Sequence, residues 1–310
     1  MTMDPELDAA SVLMAPPDIS DPEAARFVAV LTRDHRSSAI VETEGRVTFA
    51  DSIITAVDGT EIGLRIYTPN FSRGVKAGVV YFHGGAFVVG DLDYEHARCL
   101  RYAADAGCVV VSVDYRLAPE HKFPLGLEDC YSGLVWTYQN ARDINVDPAR
   151  IAVAGASAGG CLAAAVALLA RDRGGPPIAL QILLYPVLDD RMGTPSMLAF
   201  NDTPVWNNVS NAEMWKHYLA LPEDASIYAA PGRAEDLSDL PSAYILAVEL
   251  DPLRDEALDY ATRLLAAGVK VELHHVAGAY HGFDHDVPDA AISRRWMNDQ
   301  SSYVRRFLRH

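Results

Sequence analysis

The residues best suited to do chemistry lie in Gly155-Ala156-Ser157-Ala158-Gly159. The apolar run 151–154 predicts a short buried strand, and the Ala- and Leu-rich run 161–170 predicts a buried helix. Ser157 then stands at the tip of a strand–turn–helix unit, the context of a nucleophile elbow. Side chains at 155 and 159 would collide with backbone there, and the helix start offers free N–H groups to a negative charge. The motif alone is as typical of an ordinary strand–helix turn, so the rest of the chain decides.

A serine hydroxyl is a weak nucleophile at neutral pH and needs a base, which in turn needs a carboxylate to orient it. His281 and Asp251 each come just after a predicted strand, at 269–276 and 243–249, and follow Ser157 in the order acid, then histidine. We therefore predict Ser157 as nucleophile, His281 as base and Asp251 as its orienting acid. His285 is the rival base. A metal site built from His281, His285 and the neighbouring aspartates is disfavoured, since no second ligand cluster supports it.

The segment His83-Gly84-Gly85-Ala86-Phe87 follows another predicted strand, 78–82. Its small residues let backbone N–H groups converge on one oxygen. Gly84 and Gly85, together with the N–H of Ala158, are the predicted oxyanion hole, and His83 is predicted to be a structural hydrogen-bonding residue. A phosphate-binding loop is the alternative, but neither the Gly-Lys-Ser/Thr ending nor the Gly-x-Gly-x-x-Gly spacing is present.

Composition narrows the possible partners. The chain has 310 residues, half of them hydrophobic, and a net charge of −16, which disfavours nucleic acid and anionic membrane surfaces. Acidic residues occupy the region where a signal peptide would be basic, and no apolar run reaches the roughly 20 residues of a membrane span. Four cysteines without metal-type spacing predict free buried thiols, hence a cytoplasmic protein.

The elements that must position these residues alternate along the chain. The runs 47–57 and 60–67 flank Asp58-Gly59 and predict a hairpin. Strands and helices then alternate, and the strands are continuously apolar, which predicts an α/β fold: a mostly parallel sheet covered by helices on both faces. The run 269–276 is predicted as the last strand, at an edge of the sheet, and so as a place for homodimer contacts.

Two regions fit no strand pattern. Asp21-Pro22-Glu23 predicts the start of a helix, and Phe27, Val28, Val30 and Leu31 are predicted to form its apolar face. Residues 187–233 form a long insertion rich in aromatic residues, which predicts a lid over a pocket. The predicted pocket residues are Phe87, Trp206, Trp215 and Tyr218. A surface excursion that buries its aromatic residues in the core is the alternative.

Taken together, the motifs resemble the hormone-sensitive-lipase-like branch of the α/β-hydrolases, the bacterial family IV carboxylesterases. The matching segments are 83–87, Asp114-Tyr115-Arg116-Leu117-Ala118-Pro119-Glu120, 155–160, Asp251-Pro252-Leu253-Arg254-Asp255-Glu256 and His281-Gly282-Phe283. Two positions depart from the common pattern: Ala156, where many members have aspartate, and Ala86, where many have a third glycine. Backbone donors act at both places, so the departures bear on subgroup rather than on chemistry.

The resemblance implies a serine carboxylesterase acting on a small-molecule ester through an acyl-enzyme, without metal or organic cofactor. It assigns the triad to Ser157, Asp251 and His281 and implies a cap. The expected units are cap helices 1–45, a first core part 46–186, a cap insertion 187–233 and a second core part 234–310. The alternatives are a non-catalytic ligand-binding member of the fold, and a lipase or amidase with the same triad. We expect short- to medium-chain acyl esters.

Overall fold

The computed structural model describes residues 2–12, 18–31, 43–71 and 74–307. In these ranges one sheet has eight strands: β1 (Val47–Thr55), β2 (Glu61–Pro69), β3 (Lys76–Phe82), β4 (Val109–Asp114), β5 (Val146–Ala156), β6 (Leu180–Leu184), β7 (Ser242–Leu250) and β8 (Val271–Tyr280). Their order across the sheet is β1-β2-β4-β3-β5-β6-β7-β8. β2 is antiparallel to β1 and β4, and all the other neighbouring pairs are parallel.

The sequence explains this arrangement. Gly59 supplies the left-handed residue of the β1–β2 turn, with φ of +87°, so the predicted hairpin is confirmed. All seven residues of β3 are buried, as expected of a strand covered on both faces. The parallel strands β3, β5, β7 and β8 all end at the same edge of the sheet, where the predicted site residues follow them.

The described helices are α1 (Pro5–Ser11), α2 (Pro22–Leu31), α3 (His96–Arg101, continued by a π-helical turn Tyr102–Ala106), α4 (Leu125–Gln139), α5 (Ala158–Arg173), α6 (Pro195–Ala199), α7 (Asn208–Tyr218), α8 (Arg254–Ala266), α9 (Phe283–Asp286) and α10 (Ala291–Phe307). Buried side chains of α4, α5 and α8 form an apolar layer on one face of the sheet. Side chains of α3, α10 and α1 form a second layer on the other face. The predicted α/β fold with helices on both faces is confirmed.

Residues 187–233 contain α6, α7 and short 3₁₀ turns but no strand. The N-terminal segment reaches this insertion, because His217 Nε2 of α7 lies 2.8 Å from the carbonyl oxygen of Ile19. Arg26 of α2 donates hydrogen bonds to the carbonyl oxygens of Val88 and Ala118. These contacts place both segments beside the loop that follows β3.

The apolar side chains that we predicted to form one face of α2 are exposed rather than packed against the protein. Phe27, Val28, Val30 and Leu31 are between 53% and 64% exposed in the described part of the chain. The reason is that α2 turns Arg26 toward the protein, where its guanidinium satisfies two backbone carbonyl groups. None of the described helices combines the length and apolarity that crossing a bilayer requires.

Candidate active site

Ser157 lies at a sharp turn between β5 and α5. Its φ of +57° and ψ of −118° are unfavourable for a residue with a side chain, and such strain costs about 1–3 kcal/mol. A Cβ on Gly155 would overlap the backbone of Gly159, and a Cβ on Gly159 would overlap the carbonyl oxygen of Phe82. The expected need for glycine at both positions is therefore met. The N–H of Ser157 donates to the carbonyl oxygen of Leu184 at 2.9 Å, which anchors the turn to β6.

The side chains of Ser157, His281 and Asp251 form a hydrogen-bonded chain. His281 Nε2 lies 2.9 Å from Ser157 Oγ, and His281 Nδ1 lies 2.8 Å from Asp251 Oδ2. The second oxygen, Asp251 Oδ1, accepts the N–H of Leu253 at 2.9 Å. Because a carboxylate accepts at Nδ1, the proton of the neutral ring resides there, and the Nε2 lone pair faces the serine hydroxyl. This arrangement can draw the proton from Ser157 Oγ as that oxygen attacks a substrate.

The loop after β3 passes beside the nucleophile. A Cβ on Gly84 would stand 3.1 Å from the carbonyl oxygen of Ala156 and 3.7 Å from Ser157 Cβ. The carbonyl oxygen of Gly85 accepts the N–H groups of residues 88 and 89, which closes a tight turn. Among the described residues, the N–H groups of Gly84, Gly85 and Ala158 donate to no protein acceptor. These are the three residues predicted as the oxyanion hole, and their N–H groups are available to an oxyanion.

His83 supports this loop from within the protein. Its ring stacks on Tyr115 with centroids 4.2 Å apart, and its Nδ1 lies 2.7 Å from the carbonyl oxygen of Gly84. Burial lowers the pKa of His83, and the hydrogen bond to Gly84 opposes this only in part. The ring is therefore neutral at pH 7 and fixes the backbone of the predicted oxyanion loop. The expected structural role of His83 agrees with this geometry.

The rival histidine points elsewhere. The ring of His285 stacks on Tyr94 with centroids 5.0 Å apart, and its Nε2 lies 3.2 Å from the Tyr94 carbonyl oxygen. Asp284, considered above as part of a metal site, binds Arg98 instead. Across the described ranges, no three His, Cys, Asp or Glu side chains are grouped as metal ligands.

Three of the four predicted pocket residues lie together. Phe87 stacks on Tyr218 with centroids 3.8 Å apart, and Trp215 lies 6.3 Å from Phe87. Trp206 is separate from them: its ring lies 5.9 Å from the ring of His281. All four side chains are buried. The loop after β3 and helix α7 thus build one aromatic cluster, and Trp206 covers the imidazole.

A further carboxylate, that of Glu256, lies near Asp251. Glu256, on α8, is buried, and its Oε1 accepts the N–H of Leu188 at 2.6 Å. Its Oε2 has no hydrogen-bond partner among the described residues. Burial raises the pKa of Glu256 well above its ordinary value, and the nearby charges of Asp189 and Asp251 raise it further. The sequence showed Glu256 only as the last letter of a motif.

Comparison with known proteins gives this geometry its context. Residues 79–285 match a protein family that is described as having the α/β-hydrolase fold. The chain belongs to that family. Esterase LipI of Mycobacterium tuberculosis is 44% identical over 234 residues, which cover 74% of this chain and 73% of the relative. Carboxylesterase NlhH of the same species is 42% identical over 234 residues, with 72% of each chain covered.

The likeness of this α/β-hydrolase extends to solved structures. A bacterial heroin esterase superposes with a TM-score of 0.92 at 40% sequence identity, covering 100% of this chain and 99% of the other. These relatives bear out the resemblance to the hormone-sensitive-lipase-like branch that the sequence motifs indicated.

Proposed function

We propose that this protein is a serine carboxylesterase in which Ser157 is the nucleophile, His281 the general base and Asp251 the acid that orients it. The chain is a carboxylic ester hydrolase by its family, since relatives at 44% and 42% identity are named as an esterase and a carboxylesterase. The residue roles rest on one observation. A single imidazole bridges Ser157 Oγ and the Asp251 carboxylate at 2.9 and 2.8 Å.

In the proposed reaction, Ser157 Oγ attacks the ester carbonyl carbon while its proton passes to His281 Nε2. The carbonyl oxygen becomes an oxyanion, which the N–H groups of Gly84, Gly85 and Ala158 receive. The ester C–O bond then breaks, and His281 returns the proton to the leaving alkoxide. Water attacks the acyl-enzyme with His281 again as base, which releases the acid and restores the serine.

The test replaces the nucleophile. Ser157→Ala should fold normally and lose roughly four to six orders of magnitude in turnover of a chromogenic ester. Ser132→Ala is the matched control, because that buried hydroxyl only donates back to the Glu128 carbonyl oxygen within α4. A serine-directed organophosphate should label Ser157 alone. Full turnover in Ser157→Ala would overturn the assignment.

The alternative of a non-catalytic ligand-binding protein is tested by the same chromogenic ester. An acyl-enzyme that forms faster than it hydrolyses releases a burst of alcohol close to one equivalent per enzyme. A binding protein releases none. The hydrogen bond between Ser157 and His281 favours the catalytic function, because a site used only for binding needs no such proton acceptor.

We further propose that the substrates carry short to medium acyl chains. The support is the buried aromatic cluster of Phe87, Trp215 and Tyr218, which the proposal assigns as the wall that ends the acyl pocket. Each buried methylene contributes about 0.8 kcal/mol until the chain reaches this wall. Specificity should therefore rise from acetate, peak near butanoate to hexanoate and fall by dodecanoate.

Assembly and location are proposals as well. β8 lies at the edge of the sheet, and we propose that two copies pair there. Light scattering at micromolar concentration should give twice the chain mass, and a monomer mass would refute the pairing. The four cysteines are free and buried, which supports the proposal of a reducing, cytoplasmic location.

A further inference from the structure

A buried network of charged and polar side chains reaches the imidazole of His281, the proposed base. The guanidinium of Arg98, on α3, donates to Asp284 Oδ2 at 3.0 Å, to Glu95 Oε2 at 2.8 Å and to the hydroxyl of Tyr185 at 3.2 Å. The Tyr185 hydroxyl in turn donates to Asp284 Oδ1 at 2.7 Å. Arg98, Tyr185 and Asp284 are each less than 5% exposed. Both oxygens of Asp284 are thus engaged by buried donors.

Asp284 is ionised in this setting. Burial alone would raise the pKa of Asp284, but the charge of Arg98 and the hydrogen bonds from Arg98, Tyr185 and Gln300 more than offset it, so the pKa lies below its ordinary value. A buried charge of this kind is stable only when its partners hold fixed positions. The four side chains come from α3, the end of β6, α9 and α10, so the network ties four elements together.

This network reaches the base in two ways. Along the chain, His281 directly follows β8, Gly282 turns with φ of +76°, and α9 starts at Phe283, so Asp284 lies three residues after His281. Through space, the rings of Tyr185 and His281 form a T-shaped pair with centroids 4.9 Å apart and planes at 67°. Tyr185 itself has φ of +36°. A non-glycine residue keeps such a backbone only where its surroundings over-determine it.

We propose that Tyr185, Asp284 and Arg98 are positioning residues for His281, holding its ring in the plane that joins Ser157 and Asp251. The inference rests on the proposed triad. The imidazole must accept a proton from Ser157, become a cation and return the proton to another oxygen without rotating. Asp251 holds the Nδ1 edge of the ring. The network holds the segment that follows His281, and the Tyr185 ring packs against the imidazole. Misplacement of a catalytic group by about 1 Å costs on the order of 10²-fold in rate.

The decisive variant is Tyr185→Phe, which keeps the ring against His281 but removes the hydroxyl that binds Asp284 and Arg98. We expect kcat to fall about 10- to 100-fold with KM unchanged, since this hydroxyl is buried against Arg98 and Asp284. The downfield proton resonance of His281 Nδ1–H should broaden or shift. Asp284→Asn should have the larger effect, because it removes the charge that Arg98 pairs with.

Tyr244→Phe is the matched control. The hydroxyl of Tyr244, a buried residue of the neighbouring strand β7, donates to Asp299 Oδ2 at 2.9 Å and has no contact with His281. It should lose comparable stability in urea but keep wild-type kcat and the wild-type resonance. Wild-type kcat in Tyr185→Phe, or an equal loss in Tyr244→Phe, would leave the network a purely structural role and overturn the proposal.

The proposed triad and the proposed positioning role can be refuted separately. If Ser157→Ala retains turnover, the triad is wrong, and the positioning role fails with it. If Ser157→Ala is inactive while Tyr185→Phe and Asp284→Asn both match the wild type in kcat and in the His281 resonance, the triad stands and only the positioning role is refuted.

Discussion

Replacing Glu256 with glutamine tests how its protonation affects folding stability while the shape of the side chain is kept. The amide keeps an oxygen to accept the Leu188 N–H and has nearly the volume of the acid, but it never ionises. Because burial raises the pKa of Glu256 well above its ordinary value, the folded state holds a proton that the unfolded state releases near pH 4.3. Stability that depends on this proton is fully present below pH 4.3 and is lost as pH rises toward the folded pKa.

The difference in unfolding free energy between wild type and Glu256→Gln grows across the pH range between the unfolded and folded pKa values of Glu256. Each pH unit above 4.3 lowers the unfolding free energy of the wild type by about 1.4 kcal/mol relative to Glu256→Gln, until the folded pKa is reached. Between about pH 4.3 and the folded pKa the variant should therefore be the more stable protein, by a margin that grows with pH. All other titrating groups are shared, so their contributions cancel in the difference.

The assay is urea unfolding of both proteins, followed by tryptophan fluorescence at intervals between pH 4 and 7. Glu256→Leu serves as the control for shape. It leaves the Leu188 N–H buried without an acceptor and should be less stable than Glu256→Gln by about 1–3 kcal/mol at every pH, because neither variant titrates at this position. A stability difference between Glu256→Gln and wild type that stays constant across this range would show that Glu256 is ionised in the folded protein, contrary to our reasoning.

Three further predictions concern the site. His281→Ala should be as damaging to turnover as Ser157→Ala, whereas His285→Ala should cost little because that ring stacks on Tyr94; the reverse ranking would move the base to His285. Gly159→Ala should unfold the elbow or leave the protein insoluble, since its Cβ would overlap the Phe82 carbonyl oxygen, while Gly193→Ala, whose Cβ meets only one atom at 3.9 Å, should be silent in stability and rate. Trp215→Ala should move the acyl-length optimum to longer chains in a series of nitrophenyl esters, and an unchanged optimum, or a wild-type optimum at hexadecanoate, would show that this residue does not bound the pocket.

The part of the site that sequence could predict is local or fixed by topology. Glycines two residues before and after Ser157 reveal a tight turn, because only a close backbone approach excludes side chains at both positions. Asp251 and His281 are far from Ser157 along the chain, yet each follows a strand of a parallel sheet. Since parallel strands end at one edge, their positions relative to the elbow followed from the alternation of strands and helices.

What sequence did not reveal depends on long-range packing. Arg98 and Asp284 are separated by 186 positions and carry no shared pattern. In the sequence, Asp284 is only one of the aspartates beside His285 in the disfavoured metal site, and Tyr185 belongs to none of the motifs. β8 also runs four residues past its predicted end at 276, because Gly278 takes a φ of +73° and donates to the Glu249 side chain instead of breaking the strand.

The place of β8 in the sheet has a consequence for how activity is lost. Within one chain β8 pairs with β7 on one side and has no second strand beside it in the described residues, so in a monomer, without the proposed pairing of two copies, it should open at a lower free energy than strands paired on both sides. Opening it removes His281 from Ser157 while the nucleophile and the oxyanion loop stay on the central strands β5 and β3. On heating, we therefore expect inactivation to precede the loss of most secondary structure. The half-life of the monomer should then report a local opening of β8, and stabilising the central sheet should not lengthen it.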